Sequence, residues 1–345
     1  MYDKTSDFDY ELPKELIAQT PLKDRKTSRM MVVHMKSGEL EHKHFYDIVD
    51  YLHEGDVLVR NNTRVIPARL YGIKEETGAH VEVLLLRQLP DDVWECLLGN
   101  AHTVKLGTVV SFHDGRLKAQ CVEVEEQGLR KMKMIYHGIF NEILEELGNV
   151  PLPPYIREKL DDPNRYQTVY AKVDGSAAAP TAGLHFTPEI FDQLQQKGVT
   201  IVDVTLHVGL GTFKPMDTEN VKDHVMHSEV YYMSEEAASI LNQAKAEGRR
   251  IVAVGTTSVR TLESVWNRFG RFEACHGETK LFIYPGYEWH TIDAMLTNFH
   301  LPKSTLIMMI CSLGGYDLIM HAYQVAVQEK YRFFSFGDCM FLTNE

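Results

Sequence analysis

The hydrophobic pattern changes character near residue 65. Before it, Phe45, Ile48, Val49 and Leu52 fall on one helical face, Gly55 stops that helix, and residues 56–60 read as a buried strand. From about residue 65 to 138 the chain turns to short β-rich runs, VEVLLLR, WECLLG, TVVSF, LKAQCVEVEE and RKMKMIYHG, divided by turn signals such as His113-Asp114-Gly115. Short strands at regular spacing predict a small β-barrel. After one more helical pattern, IFNEILEELG, the stretch Val150-Pro151-Leu152-Pro153-Pro154-Tyr155 is rigid and extended, and marks a domain boundary.

Beyond that boundary helix and strand alternate. Thr187 caps a helix with Pro188 at its first position, VTIVDVTLHV reads as a strand, and Ser234 followed by Glu235 and Glu236 opens another helix. Strand RIVAVG, helix SVRTLESVWNRF, strand KLFIY, a strand ending near Asn298 and helices around Leu306 and Ala322 follow. This alternation predicts an α/β domain with a largely parallel sheet. The expected organisation is a main α/β domain from residues 1–65 and 150–345, interrupted by a small β-barrel domain over 66–149.

Composition narrows the function. At 345 residues the chain is long enough for two domains, and 44% apolar with 24% charged residues suits packed domains rather than disorder. Cys96, Cys121, Cys275, Cys311 and Cys339 are scattered without a CxxC pair, as expected of reduced thiols in the cytoplasm. The polar N-terminus lacks the apolar run of a signal peptide, and no segment reaches about 18 uninterrupted apolar residues, so no membrane association is expected. A net charge of −12 works against a broad grip on nucleic acid, so any RNA contact must be local. Lys23-Asp24-Arg25-Lys26-Thr27-Ser28-Arg29 and the series Arg60, Arg64, Arg69 could supply it, or could be solvated surface.

Four junctions at strand ends carry the candidate chemistry. Gly175-Ser176-Ala177-Ala178-Ala179-Pro180-Thr181-Ala182-Gly183-Leu184-His185-Phe186 sets small residues before a histidine, which suits either close ligand approach or a tight crossing of two elements. Thr205-Leu206-His207-Val208 runs into Gly209-Leu210-Gly211-Thr212-Phe213, a glycine loop without the third glycine of a dinucleotide fingerprint. Gly255-Thr256-Thr257-Ser258-Val259-Arg260 places hydroxyls and free N–H groups at a helix start, a cradle for an anion or a ribose. Thr297-Asn298-Phe299-His300-Leu301-Pro302-Lys303-Ser304-Thr305 lacks the glycines of a phosphate loop; Ser304 suits a helix cap, which leaves Lys303 unexplained. Asp223, His224, His227 and Glu229 cluster without an HExxH pattern, so no metal is expected. In Tyr331-Arg332-Phe333-Phe334-Ser335-Phe336-Gly337-Asp338 the Arg and Asp would need partners inside a core.

Together with Leu16-Ile17-Ala18-Gln19-Thr20-Pro21, Asn61-Asn62-Thr63-Arg64-Val65-Ile66-Pro67-Ala68-Arg69-Leu70, Met226-His227-Ser228-Glu229, Thr261-Leu262-Glu263-Ser264 and Phe282-Ile283-Tyr284-Pro285-Gly286-Tyr287, these segments resemble the S-adenosylmethionine:tRNA ribosyltransferase-isomerase family of queuosine synthesis. The likeness runs almost the whole length. It implies a barrel-like α/β main domain with an inserted small β-barrel. It also implies transfer of the ribosyl part of S-adenosylmethionine to 7-aminomethyl-7-deazaguanine at the tRNA wobble position, giving epoxyqueuosine, adenine and methionine. S-adenosylmethionine is then a co-substrate, with no bound cofactor, and the partner is the tRNA anticodon stem-loop, met by a monomer. One departure stands out: where the family pattern reads Asn-Asp-Thr-Arg, this chain has Asn62 in place of the Asp.

The resemblance also suggests roles. His185 and His207 are candidates for the proton transfers, with pKa values near neutrality. Thr256, Thr257, Ser258 and Arg260 would hold ribose hydroxyls or the methionine carboxylate. Tyr284 and Tyr287 would face the sulfonium or stack on a base. Arg64, Arg69, Lys303 and Arg332 would meet RNA phosphates. Asn62, Thr63, Thr181, Gly183, Gly209, Gly211, Thr212, Asn298, His300 and Asp338 complete the expected substrate-binding set. Two rivals predict different products: a conventional methyltransferase would release S-adenosylhomocysteine, and a silent tRNA-binding protein would release nothing.

Overall fold

In a computed structural model describing residues 2–126, 128–158, 160–209 and 216–345, the chain forms two compact units. One comprises Met1–Thr63, Pro154–Lys172 and Pro180–Glu345, the other Arg64–Pro153 and Val173–Ala179. Gly211 and Thr212 lie outside the described residues.

The larger unit is built on a nine-stranded sheet in the order Cys275–Thr279, Glu229–Met233, Thr200–Leu206, Val57–Asn61, Ile251–Val254, Ala294–Asn298, Cys339–Thr343, Arg29–His34, Leu40–His44. It is less parallel than the alternation of helix and strand predicts. The pairs from Thr200–Leu206 through Ala294–Asn298 are parallel, and so is Cys339–Thr343 with Arg29–His34, whereas the other four pairs are antiparallel. The KLFIY segment is not a strand. The ladder forms one step earlier, at Cys275–Thr279, whose alternating burial suits a sheet edge. Phe282 and Tyr284 instead pack from a loop against the core.

Both faces of the central strands are covered, which explains their continuous apolar runs. Met30, Val32, Cys339 and Phe341 point to a cluster with Phe186, Ile190 and Leu194 from the helix Pro188–Gln196. Their neighbours Met31, Val33, Met340 and Leu342 point the other way, to the helices Thr305–Gly314 and Tyr316–Gln328. Capping follows the sequence: Thr187, Ser234 and Ser304 each accept a backbone N–H three residues on. Among the described residues no single helix is long and apolar enough to cross a membrane, and the two apolar C-terminal helices, bent by 119°, are largely buried in the core.

The smaller unit is a closed six-stranded barrel in the order Leu129–Tyr136, Val93–Leu98, His80–Leu89, Arg69–Lys74, Val109–Phe112, Leu117–Val124. Five of its strands match the short β-runs of the sequence. The sixth, Arg69–Lys74, alternates inward Leu70 and Gly72 with exposed Tyr71 and Ile73. Gly72 leaves room for Val110 and Phe112, whose side chains would lie within 2.8 Å of any added Cβ. The segment Val173–Ala179 joins this unit, with Ile66 donating its N–H to the Ser176 carbonyl.

Candidate active site

The carboxyl ends of the parallel strands, the usual place for a site in an α/β sheet, fall along one edge of the nine-stranded sheet. The registers place Asn61, His207, Gly255 and Asn298 just at or beyond those ends. Antiparallel pairing brings the opposite ends of their neighbours to the same edge, which adds Glu229, Thr279 and Asp338.

Asn61 holds two strands together where they begin to diverge. Its side chain is fully buried, donates to the Leu206 carbonyl at 2.9 Å and accepts the N–H groups of Leu206 at 3.0 Å and Thr63 at 3.1 Å. An amide can serve both ladder functions at once, donor and acceptor, which a carboxylate cannot. Thr63, fixed in this way, brings its hydroxyl to 2.8 Å from Nδ1 of His207. His207 is half-buried, with Tyr232 edge-on to its ring. Asn62 accepts the Thr205 hydroxyl at 2.6 Å, and both residues line a groove with Tyr232 and His276.

Glu229 and Arg260 form a buried ion pair beside this point. The other Glu229 oxygen accepts the Gly209 N–H at 2.9 Å, so a single carboxylate ties Gly209 to the helix Gly255–Phe269. The expected hold of Arg260 on ribose hydroxyls or the methionine carboxylate is therefore partly taken up inside the protein. Its Nη2 has no partner among the described residues, and the same holds for the buried Thr257 hydroxyl and the Asn298 amide nitrogen. A buried polar group left unpaired costs about 1–3 kcal/mol, so these three atoms leave hydrogen-bonding capacity for a ligand. Ser258 is already engaged with the Val254 carbonyl. Gly255 begins the helix at φ +82°, and an added Cβ would press on Ala182 at 3.3 Å.

His185 sits deeper. The 3-10 turn Thr181–His185 places its ring between Ser28, 2.7 Å from Nδ1, and the Asn298 carbonyl oxygen, 2.7 Å from Nε2. Burial, opposed by the Asn298 hydrogen bond, lowers its pKa to about 4, with Arg25 and Arg332 adding to the shift. A neutral ring with its proton on Nε2 satisfies both partners. The expected pKa near neutrality does not hold for this histidine. Gly183 is the tight-crossing case: an added Cβ would sit 2.0 Å from the Tyr170 hydroxyl.

The other expected residues are more scattered. Thr181 and Thr256 stand at the first turns of their helical segments, half-buried. Tyr287 donates to buried Glu263 at 2.9 Å, and Glu263 also accepts the N–H and hydroxyl of Thr291. His300 is clamped by Thr297, Tyr323 and Tyr10, and burial lowers its pKa to about 3. Lys303 pairs with Asp9 at 2.7 Å. Asp338 is spent on the backbone, accepting the N–H groups of Arg29 and Arg332, both at 2.8 Å. In the barrel unit, Arg64 faces Asp174 at 3.8 Å and Arg69 faces Glu82 at 3.0 Å. Sequence reasoning missed Ser28, Asn61 and Thr205, whose contacts at the site are with partners more than 140 positions away.

The profile of a family described as "Queuosine biosynthesis protein" matches residues 5–342. The chain belongs to this family. Among solved structures, an S-adenosylmethionine tRNA ribosyltransferase from Thermotoga maritima is 40% identical, with 98% of this chain and 100% of that one covered and a TM-score of 0.57. In this queuosine biosynthesis chain the Asn61–Thr63 turn and the Gly255 helix start lie along one sheet edge.

Proposed function

We propose that this chain transfers and isomerises the ribosyl moiety of S-adenosylmethionine onto 7-aminomethyl-7-deazaguanine at the wobble position of tRNA, giving epoxyqueuosine, adenine and methionine. The observation that carries the reading is the full-length likeness to a tRNA ribosyltransferase. The strand-edge geometry supports it. A sulfonium acidifies the adjoining ribose 5'-methylene, so a positioned base can start the rearrangement, and groups that donate hydrogen bonds can stabilise the oxyanion that develops as the ribose opens. His207, oriented by Thr63, takes the proton-transfer role. His185 is a positioning residue: it holds the Asn298 carbonyl oxygen, leaving the amide nitrogen turned to other work. Thr257, Asn298 and the spare Arg260 nitrogen offer the contacts to ribose hydroxyls or the methionine carboxylate. The cytoplasmic, monomeric state expected from the sequence belongs to the same reading.

The test is incubation with S-adenosylmethionine and an anticodon stem-loop carrying 7-aminomethyl-7-deazaguanine, with an unmodified guanine stem-loop as control. Adenine and methionine released only with the modified RNA, with a matching mass gain on it, is the expected result. Formation of S-adenosylhomocysteine would sink the proposal, as would binding of both substrates without turnover.

A further inference from the structure

The side chains expected from the sequence to meet phosphates are mostly occupied. Arg64, Arg69 and Lys303 each face a carboxylate. A different set of guanidinium groups does not. Arg25 donates to the Gln167 carbonyl at 3.2 Å, Arg165 to the carbonyls of Leu22 and Lys23, and Arg332 to that of Thr20. None of the three has an ion-pair partner among the described residues. Arg165 Nε and Arg332 Nη1 are buried with no hydrogen bond among the described residues.

These groups are gathered, not scattered. Arg25 and Arg165 line one cleft with Leu22, Lys23, Asp24 and Thr27, and its inner end continues to Ser28, His185, Ser335 and Gly337. Arg332 acts on the same His185 ring. The acids nearby are committed elsewhere: Asp162 caps the turn Pro163–Tyr166, Asp24 caps Arg25–Thr27 and lies 4.0 Å from Lys26, and Asp338 holds two backbone N–H groups. Gathering like charges and half-burying them with no carboxylate in ion-pair contact is costly, and an oxyanion would offset that cost.

We infer that the Arg25–Arg165 cleft, with Arg332 held nearby on the Thr20 carbonyl, is an oxyanion subsite that takes a backbone phosphate of the RNA substrate. A substrate carboxylate needs one forked guanidinium, whereas a phosphodiester between several guanidiniums matches what is assembled here. The cleft carries exposed Lys23, which suits a chain that continues past the bound group. A local basic cleft also resolves how a protein of net charge −12 can hold RNA. The inference rests on RNA being the substrate, as proposed above.

The experiment is titration of an anticodon stem-loop into the wild type and into the double variant Arg25→Gln/Arg165→Gln, by fluorescence anisotropy over a range of salt concentrations. S-adenosylmethionine binding is measured calorimetrically beside it. The double variant should bind RNA about tenfold more weakly, with the salt slope reduced by roughly 0.7 for each phosphate no longer neutralised, and bind S-adenosylmethionine as before. Arg25→Lys/Arg165→Lys should keep most of the slope, and Lys36→Gln, at an exposed turn, should change nothing. Unchanged RNA affinity and slope in a folded double variant would overturn the inference, and a loss confined to S-adenosylmethionine would assign the cleft to its carboxylate instead. Inorganic phosphate, titrated into the wild type and followed by thermal shift, separates the two readings. Stabilisation that the double variant loses, in a wild type that binds no RNA, would discredit the RNA reading and this source of the phosphate together while leaving the oxyanion cleft. RNA binding that the double variant retains would discredit the cleft alone.

Discussion

Two histidines near the same sheet edge sit in opposite surroundings. His185 is closed in, with Ser28 on one ring nitrogen and Asn298 on the other, and burial holds it neutral with a pKa of about 4. His207 is half-buried beside a glycine loop, and the hydroxyl that orients it comes from a turn that Asn61 fixes. Charge is treated the same way. Near His207 the buried Arg260 has Glu229, whereas near His185 the guanidiniums of Arg25, Arg165 and Arg332 lean on backbone carbonyls. A group meant to exchange protons needs access and a pKa near the working pH, and a group meant to hold geometry is better with neither.

The largest expected effect separates the two directly. His207→Gln should lower turnover by about 10²–10⁴-fold, the usual worth of general acid–base catalysis, with S-adenosylmethionine binding largely kept. His185→Gln should cost under roughly tenfold and move KM with kcat, because Asn298 shifts with it. Equal losses, read as adenine release under single-turnover conditions, would erase the distinction. Next comes Glu229→Ala, which leaves Arg260 buried and unpaired and should destabilise the fold by about 3–5 kcal/mol in denaturant unfolding. Arg332→Ala, on the other side, should change stability less, since Asp338 keeps the two backbone N–H groups that it accepts.

The neutral histidines also make stability depend on pH. The His185 pKa is depressed from an ordinary 6.5 to about 4, so its contribution is complete above pH 6.5. Below that the unfolded chain takes up a proton that the folded ring refuses, and stability falls until the ring protonates near pH 4. At pH 5 the loss from this one residue is about 2 kcal/mol. His300, lowered to about 3 by burial, acts in the same direction. Denaturant midpoints between pH 7 and 5 should fall, and His185→Asn should make that fall shallower. A slope unchanged by the substitution would mean that the ring is not held neutral.

Much of this architecture is legible in the order of residues, and the exceptions share a cause. Barrel strands such as Val93–Leu98 announce themselves because one face is buried and the alternation survives in the sequence. KLFIY misleads because an apolar run reports burial, and loop residues such as Ile283 can be as buried as a strand. The polar CHGET segment makes the ladder instead, at an edge where one face is wet. The site follows the same division. Residues that act through their own backbone, Gly255 at its helix start and Ser304 at its cap, are visible locally. Ser28, Asn61 and the Glu229–Arg260 pair derive their meaning from partners that only the sheet order brings near.

The smallest expected effect concerns Asn62, where the family pattern carries an aspartate. Its side chain does one thing within this unit: the carbonyl oxygen accepts the Thr205 hydroxyl at 2.6 Å, while its backbone bonds to Val204 and Lys172. An aspartate has the same shape and its oxygen would accept the same proton, so no rearrangement is needed to fit it. Asn62→Asp should therefore keep turnover within about a factor of two and stability within about 0.5 kcal/mol. Thr205→Val, which removes the donor and leaves the amide oxygen unpaired, should cost more, about 1–3 kcal/mol. If Asn62→Asp instead raised turnover by an order of magnitude, the carboxylate would act on the substrate, and the catalytic centre would lie nearer this turn than His207 alone places it.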